Sequence, residues 1–420
     1  MKKLLLIISL SVFILSVQKS FATNYCGSSR YDTEVFSAVN ITSNVTFGSN
    51  VDYQGTTVTL TMDIYEPAGD TAILRPLLIW VHGGSFLGGT KNDGDVTSLC
   101  NHFAKRGYVC ASINYRLGMT GGFPNQTVAT QAVYRAVQDL KAAIRYFRQD
   151  AATGNVYQID STMVFAGGSS AGAFTTLHLA YLDQPSELPA SIDTTAMGGL
   201  EGNSGNPGYG STVNAVVNLC GALGDTSWMH AGDVPVCSMH GTADNIVPYA
   251  TAMLSILSIP IMVVNGSYSV TQQAVRVGVP NVMYTFYGAT HVPFASSTAY
   301  MDTTVRFVSN FLYSYMGCTP TDPNPYPNTL VPLAVSDLNA LDKDALVYPN
   351  PSSANMHVLL PDNFGAAHIT ILDLSGRVVF EKTGESKGEL ILERKNIAAG
   401  MYLLKAQSNG KVIQKKICFE

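Results

Sequence analysis

The chain has 420 residues, 46% of them apolar, which is enough for a large core and two folded units. Only 13% of residues are charged and the formal net charge is −5, so the basic surface that nucleic-acid binding requires is excluded. A neutral small molecule or an uncharged polymer is the better-matched ligand.

At the start stand Lys2 and Lys3, an apolar run from Leu4 to Val17, and the small-x-small sequence Ser20-Phe21-Ala22. That order predicts a secretory signal peptide over residues 1–22, cut after Ala22. Fourteen apolar residues fall short of the roughly 18 that a spanning helix needs, and no later run is longer, so no stable membrane span is expected.

From residue 45, apolar and polar residues alternate through "VTFGSN" and "TVTLTMDIYEP", as in half-buried antiparallel strands. The pattern then changes to short continuous apolar runs: "PLLIWVHGG", "YVCASINYR", "STMVFAGG", "VNAVVNLCG", "VPVCSMHG" and "NVMYTFYGA". Between them lie stretches of helical period, among them "VTSLCNHFAKRG", "AVYRAVQDLKAAIRYFRQDA" and "DTTVRFVSNFLYSYMG". Strands buried on both faces and separated by helices predict an α/β fold with a doubly wound, mostly parallel sheet. Ligand sites on such sheets lie at the carboxyl ends of the strands. Residues 185–212, rich in Gly, Ser and Pro, interrupt the rhythm and read equally as a cap over the site or a long loop. Residues 319–344 are rich in Pro, Asp and Asn, a linker composition, and close a first unit assigned to 23–318. From 345 to 420, alternating strands with Ser-Gly and Asn-Gly turns predict a small C-terminal β-sandwich.

Seven cysteines occupy positions 26, 100, 110, 220, 237, 318 and 418 without a C-x-x-C pair, so zinc and thioredoxin-like redox chemistry are not indicated. In an exported chain they are disulfide candidates. Spacing points to Cys100 with Cys110, and to Cys26 with Cys318, which would tie together the ends of the first unit.

The chemistry concentrates in "FAGGSSAGAF". Gly168-Ser169-Ser170-Ala171-Gly172 fits G-x-S-x-G, whereas centring on Ser169 puts Ala171 in the place of the second glycine. Ser170 is therefore the candidate nucleophile, in a strand-to-helix turn whose small neighbours let the two elements pass closely. Upstream, "LLIWVHGG" turns through His82-Gly83-Gly84. The N–H groups of Gly83 and Gly84, with that of Ala171, would form an oxyanion hole. No G-K-[ST] follows these glycines, which argues against a phosphate loop. Downstream, Asp244 lies in a turn after one strand and His291 after the next; His291 is the only histidine after Asp244 outside the tail. His291 would serve as general base and acid, and Asp244 would orient it. Asp225 and Asp233 are the alternative acids. His240 is expected to support the Asp244 turn, His82 to anchor its glycine turn, Arg116 to brace a loop and His178 to sit on a helix face.

With these residues placed, positions 45–316 resemble the α/β-hydrolase fold, in the esterase/lipase and carboxylesterase group whose oxyanion loop reads H-G-G-x. Ser169 stands where that group usually carries an acidic residue, and Ser85 replaces the third glycine of many H-G-G-G loops. The tail, through "VYPNPSS", "ITILDLSGRVV", "NIAAGMYLLKA" and the Lys-rich end, resembles the C-terminal sorting domain of the type IX secretion system of Gram-negative bacteria. The resemblance implies a secreted or cell-surface serine hydrolase cleaving carboxylic esters through an acyl-enzyme on Ser170. Its partners would be a small or polymer-linked ester and the secretion machinery, with no metal or organic cofactor. A serine peptidase of the same fold and a non-catalytic binding or adhesion protein are the alternatives.

Overall fold

A computed structural model describes residues 25–321, except 28, 120–123, 190–191 and 194–195, and residues 346–419, except 351, 361–363, 365, 374–376, 385–388, 395–396 and 409–410. The expected signal peptide and the linker from 322 onward lie outside the described residues.

The first unit opens with an antiparallel pair, β1 (Val39–Val51) and β2 (Thr57–Pro67); β1 is mostly exposed, whereas β2 is buried from Met62 to Tyr65. Strands and helices then alternate: β3 (Arg75–Val81), α1 (Gly94–Lys105), β4 (Val109–Ile113), α2 (Gln126–Thr153), β5 (Ile159–Ser169) and α3 (Ala171–Tyr181). After β6 (Ala215–Leu219), the short β7 (Ala222–Leu223) and β8 (Val236–Gly241) comes a hairpin of β9 (Thr251–Ile256) and β10 (Ile259–Gly266). The unit ends with α4 (Ser267–Val277), β11 (Asn281–Phe286) and α5 (Thr298–Tyr315).

Eight strands form one sheet in the order β1-β2-β4-β3-β5-β6-β8-β11. Only β2 runs antiparallel to its neighbours; β4, β3, β5, β6, β8 and β11 are parallel. The strand alternation of side chains splits the core in two. Leu77, Ile79 and Val81 of β3 join one apolar cluster with residues of α2, α3 and α4, while Leu78 and Trp80 join another with residues of α1 and α5. Covering both faces is what makes these strands read as unbroken apolar runs. This is the doubly wound, mostly parallel sheet expected from the sequence.

Residues 185–212 divide between the two expected roles. Gln138 Nε2 donates to the carbonyls of Met197 and Gly199, Lys141 Nζ to that of Leu200, and Arg145 Nε to that of Gly205. Ser204 Oγ donates to the buried carboxylate of Asp139, which also holds Arg116 Nε at 2.9 Å. These bonds fasten residues 197–205 along α2 as a fixed strap. Pro189 and Ile192 instead line the cavity beside Ser170.

In the tail, β12 (Leu346–Tyr348), β13 (Asn355–Leu359) and β16 (Glu389–Glu393) form one sheet. A second contains β14 (Ala367–Leu372), β15 (Val378–Gly384), β17 (Gly400–Ser408) and β18 (Lys411–Phe419). Met356 and Val358 from the first share a core with Ile369, Ile371, Leu404 and Ala406 from the second, the packing of a β-sandwich. Among the described residues, no helix is long and apolar enough to cross a membrane.

Cys26 and Cys318 are joined, with Cα atoms 5.3 Å apart across a separation of 292 residues. The expected Cys100–Cys110 pair is not formed: both are buried free thiols. Cys100 lies on α1 and Cys110 on β4, and both pack in one apolar cluster as small hydrophobic residues. Burial pushes both thiols well above their ordinary range. Cys100, Cys110, Cys220 and Cys237 should therefore resist Ellman's reagent in the native protein and react after denaturation. Cys26→Ser with Cys318→Ser should lower the unfolding free energy by about 2–4 kcal/mol, read by chemical denaturation.

Candidate active site

Ser170 stands between the end of β5 and the start of α3 with φ 52° and ψ −116°, a backbone state that is costly for a residue with a Cβ. Its N–H donates to the Leu219 carbonyl of β6 at 2.9 Å, and its carbonyl accepts from the N–H groups of Ala173 and Phe174. A Cβ on Gly172 would lie 2.0 Å from the Val81 carbonyl oxygen, so only glycine lets α3 start this close to β3. Held this way, the Ser170 hydroxyl rises above the carboxyl edge of the sheet.

The loop after β3 approaches the same point. A Cβ built on Gly83 would sit 3.2 Å from that of Ser170, and Gly84 has φ +105°, with its missing Cβ only 2.2 Å from the Gly88 carbonyl oxygen. His82 Nδ1 donates to the Gly83 carbonyl at 2.8 Å, and Tyr115 Oη reaches both the His82 and Gly83 carbonyls at 3.2 Å while stacking on the His82 ring at 4.4 Å. Burial pushes the His82 imidazole down, which keeps it neutral. With the carbonyls of this loop occupied, its N–H groups are the polar atoms left for a ligand. Ala171 adds the N–H of a first helical residue, which has no intrahelical acceptor. Tyr115 was not anticipated; its one trace in the sequence is its place in "NYR" just after β4.

His291 Nε2 lies 2.8 Å from Ser170 Oγ, and its Nδ1 lies 2.6 Å from Asp244 Oδ2. The Asp244 side chain has no exposed surface. Its Oδ1 accepts the N–H groups of Ile246 and Val247 at 2.9 Å each, and Oδ2 also accepts His240 Nε2 at 3.1 Å. Burial drives this carboxyl upward, but the donors of His240, His291 and Val247 outweigh it and hold the group below the usual carboxylate range. The two loops meet because β8 and β11 pair in parallel, with Gly241 opposite Phe286. A Cβ on Gly241 would lie 2.3 Å from the Ala289 carbonyl oxygen, so glycine admits the His291 loop. The alternative acids lie elsewhere in bonding: Asp225 accepts from Ser227 N and Asp233 from His230 N.

A cavity of about 610 Å³ opens beside Ser170. Phe86, Phe174, Trp228, Leu254 and Ile261 are among its apolar walls. The β9–β10 hairpin, not anticipated from the sequence, closes one side. His178 belongs to the wall too: its Nδ1 donates to the Phe174 carbonyl at 2.7 Å and its ring meets Trp228 edge-on at 5.6 Å. Burial pulls its pKa down to about 4. Cys220, His240 and Asp244 bring ligand-type atoms within 4.8 Å of one another. However, both nitrogens of His240 and both oxygens of Asp244 are already engaged, so this cluster is built for hydrogen bonding.

The strand order, with a serine at a strand-to-helix turn and Asp244 and His291 beyond successive later strands, is that of the α/β-hydrolase fold. Consistent with this class, residues 62–224 match the BD-FAE family model and residues 346–420 match that of the Secretion system C-terminal sorting domain. Over 116 residues the chain is 34% identical to Carboxylesterase 3B of Mus musculus, covering 27% of this chain and 19% of that protein. Over 120 residues it is 28% identical to Gut esterase 1 of Caenorhabditis elegans, covering 29% and 20%. The chain thus spans about a fifth of the length of these curated relatives. Among solved structures it is similar to a truncated form of carbohydrate esterase from gut microbiota, at 21% identity and TM-score 0.47, covering 68% of this chain and 98% of the other. It is also similar to Thermogutta terrifontis esterase 2 phosphorylated by paraoxon, at 21% identity and TM-score 0.46, covering 66% and 95%.

Gly172→Ala should abolish the folded site, seen as loss of soluble protein or a thermal unfolding midpoint lowered by well over about 4 °C. His178 adds a pH dependence. Its folded-state pKa lies below the unfolded one, so its stabilisation is complete above about pH 6.5 and lost as the pH falls toward 4, amounting to roughly 3 kcal/mol. Urea unfolding at pH 7 and pH 4 should show a correspondingly smaller loss for His178→Leu than for the wild type.

Proposed function

We propose that this protein is a secreted serine hydrolase that cleaves carboxylic esters. The observation that carries the reading is the unbroken hydrogen-bonded line Ser170–His291–Asp244 at the mouth of an apolar cavity. In the first half-reaction, Ser170 Oγ attacks the ester carbonyl carbon while its proton passes to His291 Nε2. The resulting oxyanion takes hydrogen bonds from the N–H groups of Gly83, Gly84 and Ala171. Asp244 holds the His291 Nδ1–H tautomer and stabilises the imidazolium. Collapse breaks the bond to the alcohol oxygen, which takes the proton from His291 and leaves an acyl-enzyme. Water, deprotonated by the same imidazole, then releases the acid and restores Ser170.

Ester rather than amide cleavage is supported by the names of the curated relatives and by the lining of the cavity. A peptidase selecting a terminal amine or a basic side chain needs a buried carboxylate, and among the described residues the one acidic residue in the wall is Asp225, which is exposed and accepts the Ser227 N–H on Oδ1. The largely apolar lining favours a neutral ester, free or attached to a polymer. Residues 23–318 would form the catalytic unit. Residues 345–420 would serve as an address for export through the type IX machinery of a Gram-negative cell, placing the enzyme outside it.

A fluorophosphonate should label Ser170 in the wild type, mapped by mass spectrometry, and Ser170→Ala should lower kcat on p-nitrophenyl esters by at least about 10³-fold. Ser169→Ala should keep most of the activity. Faster turnover of aminoacyl amides than of esters would overturn the esterase reading in favour of a peptidase.

A further inference from the structure

The carboxylate of Asp244 has a second imidazole on it, and behind that imidazole runs a buried polar chain for which the reaction above has no use. His240 has no exposed surface. Its Nε2 faces Asp244 Oδ2 at 3.1 Å and the Val247 carbonyl at 3.2 Å, while its Nδ1 faces Ser267 Oγ at 2.7 Å. Ser267 Oγ accepts Asn218 Nδ2–H at 2.9 Å, and Asn218 Oδ1 accepts the Gly221 N–H at 2.9 Å. Asn218 and Ser267 are fully buried as well.

Two acceptors face His240 Nε2, so that nitrogen must carry the proton. In the neutral ring Nδ1 is then a bare lone pair, and Ser267 fills it by donating its hydroxyl hydrogen. The opposite tautomer would set a lone pair against a carboxylate and a carbonyl, and would leave Ser267 only the Gly221 carbonyl at 3.4 Å as acceptor. Asn218 therefore donates to Ser267, Ser267 to His240, and His240 to Asp244. The titratable groups around His240 are Asp244, His291 on the same Oδ2, Cys220 and the Tyr249 ring at 5.7 Å. Burial pushes Cys220 up to about 12 and raises Tyr249, so Asp244 is the one anion His240 meets among these groups.

We infer that Asn218, Ser267 and His240 form a positioning relay that orients the Asp244 carboxylate and divides its charge between two imidazoles. Resting on the serine-hydrolase reading, it makes His240 and Ser267 determinants of how strongly Asp244 supports the His291 imidazolium. The backbone N–H groups of Ile246 and Val247 hold Oδ1; His240 fixes Oδ2, the atom that His291 uses. Removing the His240 donor loosens that atom and leaves its charge undivided for His291.

The full chain carrying His240→Leu, His240→Gln, Ser267→Ala and the double change His240→Leu/Ser267→Ala provides the test. His240→Leu should lower kcat by about 10²-fold, the scale of an ångström's misplacement, with KM nearly unchanged. Its kcat/KM profile should turn over at higher pH on the acid side, because an undivided carboxylate holds the imidazolium more tightly. His240→Gln retains an N–H donor and should recover most of the rate. Ser267→Ala should shift kcat and the acid limb in the same direction by less. The double variant should match His240→Leu within about twofold, since a relay cut once is not cut again. Thermal unfolding of Ser267→Ala and His240→Gln reports whether the fold is kept. An unmoved acid limb in folded variants, or losses that multiply in the double variant, would overturn the relay. The fluorophosphonate separates this from failure of the site reading. Absence of label on wild-type Ser170 overturns the nucleophile, whereas equal labelling rates in wild type and folded His240→Leu overturn the relay alone.

Discussion

A carboxylate with no exposed surface can keep its charge only if every lone pair is occupied, and the Asp244 side chain meets that condition with four donors from three stretches of chain. Two are backbone N–H groups of its own turn, one is His240 at the end of β8, and one is His291 beyond β11. The electrostatic requirement of one atom group thus ties the ends of two parallel strands together. The parallel register of β8 and β11 makes this feasible, and Gly241 supplies the room. The proposed serine chemistry rests on it, because an imidazole held from behind at 2.6 Å has its other nitrogen free to face Ser170.

The remaining parts of the site are held by backbone that is itself constrained. Ser170 occupies a strained conformation, and the bonds from its N–H to Leu219 and from Ala173 and Phe174 to its carbonyl keep it there. The loop after β3 is fixed by its carbonyls, which His82 and Tyr115 take up. The strap over α2, with the buried Arg116, Asp139 and Ser204 at its centre, steadies the helix that supplies part of the cavity wall. Segments that look like loose Gly-rich loop in the sequence are therefore rigid here, because buried arginine, lysine and glutamine side chains need carbonyl acceptors and find them in that loop.

Much of the fold was legible in advance. The central strands were recognisable as uninterrupted apolar runs because both faces are covered, and α1, α2 and α5 by their period. The serine turn was legible because its glycines are steric necessities that only one residue type satisfies. The β9–β10 hairpin was not legible. It carries apolar residues on both faces, and Met253 and Val263 line the cavity while remaining about half exposed, so no alternation marks it as strand. The Cys100–Cys110 spacing misled for a related reason: closeness in sequence placed the two thiols on a helix and a strand that pack in one apolar cluster without joining them. Cys26 and Cys318, 292 residues apart, are joined because the unit brings its ends together.

By itself the sequence determined the class of fold, the serine at the sharp turn and the order of acid and histidine after it. Those properties are local, set by periodicity, by glycine sterics and by the position of polar residues just past apolar runs. Which groups share a carboxylate, which way the Asn218–Ser267–His240 chain donates, and how the hairpin, His178 and Trp228 wall the cavity were decided only by tertiary structure. Their partners lie tens of residues apart, and the direction of a hydrogen bond depends on what faces each atom in space.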